Sequence, residues 1–108
     1  MTSLDRRQVL LAIAAIGAGA ASPARAFMQV DEEGARRIGR AYLAGRPGLD
    51  ARRLQAELLP AGWTPEAAGA LRARARRDFR DGRHFIHDGW RLSDTEGRLF
   101  ALASLTAS

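Results

Sequence analysis

The first 26 residues most constrain what this chain can fold into, because they have the features of a segment that does not belong to the folded domain. An arginine pair, Arg6 and Arg7, precedes an apolar run of 13 residues from Val9 to Ala21. A transmembrane helix needs about 20 apolar residues, so a run of this length is typical of a cleavable signal peptide rather than a membrane anchor.

A cleavage site follows the apolar run. Ala24 and Ala26 flank one arginine, which is the small-x-small form of a signal cleavage site. We therefore predict a signal peptide over 1–26 and a mature chain that begins at Phe27. The remaining 82 residues, 27–108, are enough for a single small domain.

The sequence around the arginine pair resembles the twin-arginine (Tat) motif of exported proteins. That motif is a polar residue, two arginines, any residue and two apolar residues, and Asp5, Val9 and Leu10 occupy the positions around Arg6 and Arg7. The resemblance implies recognition by the twin-arginine translocase through Arg6 and Arg7, and a periplasmic location. A general secretory signal with adjacent arginines is the alternative.

The chain contains no cysteine. Disulfides, thiolate metal sites, iron–sulfur ligation and covalent haem attachment are therefore excluded, and no cofactor is expected. A domain of this size buries only about 60 % of its unfolded surface. Its stability must therefore come from packing or from a partner.

The basic residues do not indicate a nucleic-acid-binding protein. All 17 are arginine, and without the signal 14 arginines stand against 11 acidic residues, a net charge of +3. Complete use of arginine in place of lysine, with abundant alanine and glycine, indicates codon bias in a GC-rich genome. The charge mainly favours solubility.

Capping residues and apolar spacing predict a mainly α-helical domain with three to four short helices. Asp31 caps a helix over 32–44, Asp50 caps a second helix to Leu59, and Thr64 precedes a proline that opens a third helix to about residue 80. On these helices, the apolar positions that share a face are Ala35, Ile38, Ala41, Tyr42, Leu54, Leu58, Ala68, Leu71, Ala75 and Phe79.

The third helix is rich in arginine: Arg72, Arg74, Arg76, Arg77 and Arg80 lie on it. One interpretation is a cationic surface for an acidic partner or anionic lipid. The commoner explanation for such a pattern is an ordinary solvated face, and we favour it here.

The segment 84–93 predicts a β-hairpin. Asp88-Gly89 is suited to a type I′ turn, in which both central residues take a positive φ. A two-residue turn pairs Phe85 with Leu92, and this apolar pair needs a helix to pack against because an isolated hairpin is barely stable in water.

A capping box predicts that a last helix starts directly after the hairpin. Ser93 and Glu96 are three residues apart, so that each side chain can accept a hydrogen bond from the other residue's backbone N–H. Apolar residues follow at Leu99, Phe100, Leu102, Ala103 and Leu105.

His84 and His87 are the only histidines and the first candidates for chemistry. Their spacing on a strand places them on opposite faces, and no third or fourth ligand is evident, so a metal site is not expected. Ser93, His87 and Asp88 could be written as a hydrolase triad, but the capping box and the turn explain Ser93 and Asp88 better. We predict no catalytic residues, and the protein is not expected to be an enzyme.

Trp63 and Trp90 are the two largest aromatic residues, and each follows a glycine at the edge of an element. Either can belong to the core of so small a domain. If exposed, they are the best candidates for contact with a partner protein, because tryptophan supplies much of the binding energy at interfaces.

The C-terminal third resembles a group of small uncharacterised proteobacterial proteins with twin-arginine signals. The shared pattern is D-F-x-x-G from Asp78 to Gly82, followed by G-W-x-L-S-x-T-E-x-R-L from Gly89 to Leu99. The resemblance implies no particular activity, although some proteins of this kind accompany exported oxidoreductases.

The leading functional hypothesis is a periplasmic accessory or binding protein, such as a small subunit or chaperone-like partner of an exported oxidoreductase. Its contact with the membrane would be transient, through the signal alone. The alternative from another class is a small metal-binding protein or enzyme that uses His84 and His87. A third possibility is a membrane-surface protein that retains its apolar run.

Overall fold

The computed structural model describes residues 32–62 and 64–106. Several sequence predictions lie outside the described residues: the signal peptide with Arg6 and Arg7, the cleavage site at Ala24, Ala26 and Phe27, the cap at Asp31, and Trp63.

The described chain has four helices and one two-stranded antiparallel hairpin. The helices are α1 (Glu32–Ala44), α2 (Ala51–Leu58), α3 (Pro65–Arg80) and α4 (Asp94–Leu105), and the strands β1 (His84–His87) and β2 (Trp90–Ser93) connect α3 to α4. The predicted fold class, mainly α with one C-terminal hairpin, is confirmed. No helix in the described ranges has both the length and the apolar character required to cross a membrane.

The predicted start signals begin their helices as expected. Asp50 accepts a hydrogen bond from the backbone N–H of Arg53 at 2.8 Å, and Thr64 accepts one from Ala67 at 3.0 Å. Such caps satisfy backbone donors that have no partner within the helix.

The hairpin has the predicted register and turn. Phe85 lies opposite Leu92, and both turn residues, Asp88 and Gly89, have a positive φ. Leu92 is fully buried and Phe85 is half-buried against the core, whereas Ile86 on the other face is exposed. The hairpin therefore has one buried and one solvent-facing side.

Helix α4 is the centre of the domain. Eight of its twelve residues are buried, and α1, α2, α3 and β2 all pack around it. The largest fully buried side chain of the described core is Phe100. A short helix so completely enclosed must have its polar N-terminal groups satisfied by protein atoms.

Two glycines allow α1 and α4 to approach closely. A Cβ atom at Gly39 would lie 2.8 Å from the carbonyl carbon of Phe100, and one at Gly97 would lie 2.6 Å from Cε1 of Tyr42. Both distances are shorter than a van der Waals contact, so any larger residue would force the helices apart.

Two helix faces differ from the prediction. Ala41 is exposed, and Gly39 takes its place in the α1–α4 contact. Phe79 is 37 % exposed, whereas the neighbouring Asp78 is buried. The last turn of α3 lies beside the polar start of α4 rather than beside the apolar core, so a carboxylate faces inward there.

Candidate functional site

A charged cavity of about 270 Å³ lies beside the N-terminus of α4. Four arginines line it: Arg74, Arg77, Arg83 and Arg98. Three acidic residues complete the lining: Glu57, Asp78 and Asp94. The cavity thus gathers side chains from α2, α3, α4 and the loop before β1.

The carboxylate of Asp78 lies at the N-terminus of α4, where a helix favours an anion. Its Oδ2 atom accepts hydrogen bonds from the backbone N–H of Thr95 at 2.7 Å and from the Thr95 hydroxyl at 2.6 Å. Its Oδ1 atom accepts one from Nε of Arg83 at 3.2 Å. A negative charge is stabilising at this helix end because the unpaired N–H groups make it positive.

Asp94 joins α1 to α4. Its Oδ1 accepts a hydrogen bond from the hydroxyl of Tyr42, and its Oδ2 accepts one from Nε of Arg98 at 3.0 Å. Burial, followed by the hydrogen bond and negative charge of Asp94, raises the pKa of Tyr42 above its ordinary value of 10.0. Tyr42 is therefore held in the protonated, donating form.

Arg98 extends this network to α2. Its NH1 group donates to Oε2 of Glu57 at 2.8 Å, and Arg74 lies 3.7 Å from Oε1 of Glu57. Burial lowers the pKa of Arg98, but the bond to Asp94 and the nearby negative charges outweigh that effect and raise it. The guanidinium is therefore charged and joins α4 to α2, while Asp94 continues the network to Tyr42 of α1.

A second surface, the hairpin patch, is formed by Phe79, His84, Ile86 and Arg91. Ile86 is 63 % exposed and lies directly across the strands from Arg91. The Arg91 guanidinium lies 5.6 Å from the ring centroid of Phe79, and the His84 ring lies 6.3 Å from the same ring. The patch is thus a contiguous apolar and cationic surface on the outer face of the hairpin.

The histidines remain apart, as their strand spacing predicted. His84 is exposed in the hairpin patch, whereas His87 is partly buried, 3.4 Å from a carboxylate oxygen of Asp88. Within residues 32–62 and 64–106, no three His, Cys, Asp or Glu side chains are grouped closely enough to hold a metal ion.

Ser93 serves the capping box. Its hydroxyl accepts the backbone N–H of Glu96 at 3.1 Å and donates to the Glu96 carboxylate at 2.9 Å, while its own N–H donates to the same carboxylate at 3.0 Å. Ser93 is fully buried. These bonds occupy the hydroxyl that a hydrolase triad would need as its nucleophile.

The tryptophans stay candidates for partner contact. Trp63 lies outside the described residues, and of Trp90 only the backbone pairing with His87 is described. The prediction that either tryptophan anchors a partner is therefore carried by the sequence alone.

No family model, curated protein or solved structure matches this chain.

Sequence reasoning missed the charged cavity. Asp78 follows Ala75 by three residues and therefore lies on the apolar side of α3, where a carboxylate needs a partner. That position was the available signal. Asp78, Thr95 and Arg98 also all fall within the C-terminal pattern described above.

Proposed function

We propose that this protein is a periplasmic accessory protein, exported by the twin-arginine route, that binds an exported oxidoreductase through the hairpin patch. The twin-arginine system carries proteins that have already folded, and a small passenger without an evident catalytic site is suited to accompany a larger one. The single observation that supports a contact surface is the exposure of Ile86.

The surroundings of Ile86 support the interpretation of its exposure as part of a contact surface. A hairpin residue could have faced the core, as Phe85 and Leu92 do. Instead Ile86 faces solvent opposite Arg91, and the Arg91 guanidinium and the His84 ring both lie near the exposed ring of Phe79. An apolar centre with a polar border is the usual arrangement of a protein-binding surface.

The charge around the patch indicates an acidic partner surface. Arg91 lies within the patch, and Arg80 lies in the last turn of α3, which ends beside it. A complementary surface on the oxidoreductase would carry carboxylates around an apolar pocket. Such complementarity mainly accelerates association and orients the partners.

Isolation of the native protein from periplasm tests the partnership. We expect the protein, tagged at its C-terminus and produced at its natural level, to be recovered in a stoichiometric complex with a cofactor-containing oxidoreductase. Recovery as a monomer at that level would contradict the proposal.

The export route has a separate test. Replacing Arg6 and Arg7 together by lysine keeps the charge but removes the guanidinium pair. We expect this variant to stay in the cytoplasm, whereas a variant with Arg25→Lys should be exported normally. Equal export of both variants would show that the chain uses another route.

A further inference from the structure

We propose that the charged cavity beside α4 is a binding site for a small oxyanion, such as a phosphate or carboxylate group. This inference is independent of the partner protein proposed above. It follows from which hydrogen-bonding groups of the cavity already have partners and which do not.

The carboxylates of the cavity already have their hydrogen-bond donors. Both oxygens of Asp78 accept hydrogen bonds, from Arg83 and Thr95. Both oxygens of Asp94 accept as well, and both oxygens of Glu57 accept from Arg98. The acidic side chains therefore do not require a cation.

The arginines, in contrast, keep unused donors. Within the part of the chain that the structure describes, the Arg77 guanidinium has no hydrogen bond or ion pair, and Arg74 has only the long 3.7 Å approach to Glu57. These two residues are three apart on α3, so they lie on adjacent turns of the same side of the helix. Each guanidinium carries five N–H donors.

The backbone at the start of α4 does not compete for the ligand. The N–H groups of Asp94, Thr95 and Glu96 already donate to Arg83, Asp78 and Ser93. What the cavity can still offer is therefore a pair of guanidinium groups, whose planar donors match the oxygens of a phosphate or carboxylate.

The net charge agrees with this assignment. Four arginines and three carboxylates line the cavity, a net charge of +1 for the lining, and Arg83 also pairs with Asp81 outside the lining. Of the four arginines that line the cavity, Arg77 is the one whose guanidinium has no partner among the described residues, and it is exposed. An anion that contacts Arg77 and Arg74 would neutralise that charge.

The test is a calorimetric titration of the purified protein with inorganic phosphate at constant ionic strength. We expect saturable binding at one site, and we expect Arg77→Gln to weaken it about tenfold or more, since a hydrogen bond to a charged group is lost. Arg76→Gln is the matched control, because Arg76 lies on the same helix, is exposed and is outside the cavity lining. The affinity of this variant for phosphate should stay within about twofold of that of the parent, because salt screens the effect of a charge lost outside the cavity.

Acetate, titrated in parallel, separates the two sources of the ligand group. Tighter binding of phosphate assigns a phosphoryl ligand, and tighter binding of acetate assigns a carboxylate. Equal weakening by Arg76→Gln and Arg77→Gln, or the absence of saturable binding of either anion to the parent protein, overturns the proposal. Circular dichroism of both variants confirms that they are folded.

Discussion

The carboxylate of Asp78 receives two hydrogen bonds from Thr95, one from the backbone N–H and one from the hydroxyl, at 2.7 and 2.6 Å. The two residues are 17 positions apart, and the whole hairpin lies between them. This contact joins the end of α3 to the start of α4, the two helices that the hairpin connects. It also places a buried negative charge where the α4 dipole favours one.

Removal of the Asp78 carboxylate should be strongly destabilising. Asp78→Ala leaves the N–H and hydroxyl of Thr95 without an acceptor, and we expect a loss of about 3 kcal/mol in the free energy of unfolding. Urea denaturation followed by circular dichroism measures it. The control is Asp81→Ala, which removes only exposed ion pairs with Arg80 and Arg83 and should cost less than about 1 kcal/mol. Similar losses in both variants would show that the Asp78–Thr95 contact contributes little.

Replacing glycine by alanine should destabilise the protein in α1 and α4 but stabilise it in α3. Gly97→Ala and Gly39→Ala place a methyl group against Tyr42 and Phe100, and we expect losses of about 2 kcal/mol or more. Gly69→Ala meets nothing within 4 Å in the interior of α3, and we expect a gain of up to about 1 kcal/mol from helix propensity. Thermal and urea unfolding measure the three variants. A change of the same sign in the free energy of unfolding for all three would contradict these expectations.

Tyr42 should make the fold sensitive to alkaline pH. Its pKa is raised in the folded state, so the folded protein holds that proton more tightly than the unfolded chain does. The stabilisation from this group is therefore fully present below pH 10.0 and declines as the pH rises above that value. The chain has one tyrosine and neither lysine nor cysteine, so few other groups titrate in this range.

Tyr42→Phe tests both the hydrogen bond of that hydroxyl to Asp94 and its contribution to alkaline sensitivity. At neutral pH we expect a loss of about 1–3 kcal/mol, because the bond to Asp94 is missing. Above pH 10.0 the difference between variant and parent should shrink, since the parent loses the same contribution. Unfolding curves across the alkaline range measure this. A constant difference at all pH values would contradict the raised pKa.

The hairpin turn should tolerate asparagine but not alanine. Gly89 has φ +84, which is strained for a residue with a Cβ atom, and Gly89→Ala should cost about 1–2 kcal/mol. Asp88 has φ +49, a conformation that asparagine also adopts readily, so Asp88→Asn should change stability by less than about 0.5 kcal/mol. Amide exchange of the strand N–H groups reports the hairpin directly, and equal protection in both variants would contradict the turn assignment.

The local structure could be predicted from sequence because its signals are local. Asp50, Thr64 and Ser93 each form a hydrogen bond three residues along the chain, and the turn at 88–89 depends on two adjacent residues. Such caps and turns are determined by geometry within one helical turn or one hairpin.

The charged cavity could not be predicted in the same way. Tyr42 and Asp94 are 52 residues apart, and Arg98 and Glu57 are 41 apart, so no local pattern links them. A charged residue on a helix is usually solvated, which makes solvent exposure the natural expectation for Arg98. The position of Asp78 on the apolar side of α3 indicates burial, but it does not identify Thr95 as the partner. Only the packing of α1, α2 and α3 around α4 shows that these charges meet.

The exposure of Phe79 has the same origin. Its spacing from Ala75 places it on the apolar side of α3, and the helix would bury it if the apolar core continued to the end of that helix. The polar start of α4 lies there instead, and Asp78 turns toward it. The apolar ring is left on the surface, where it contributes to the hairpin patch.

Recovery of a partner protein by surface variants shows whether the hairpin patch binds one. Ile86→Glu and Leu105→Glu make the same change at two exposed apolar positions, one inside the patch and one at the end of α4. We expect the native protein and Leu105→Glu to recover a stoichiometric oxidoreductase from periplasm, and Ile86→Glu to recover at most about a tenth as much. Equal recovery by both variants would contradict the claim.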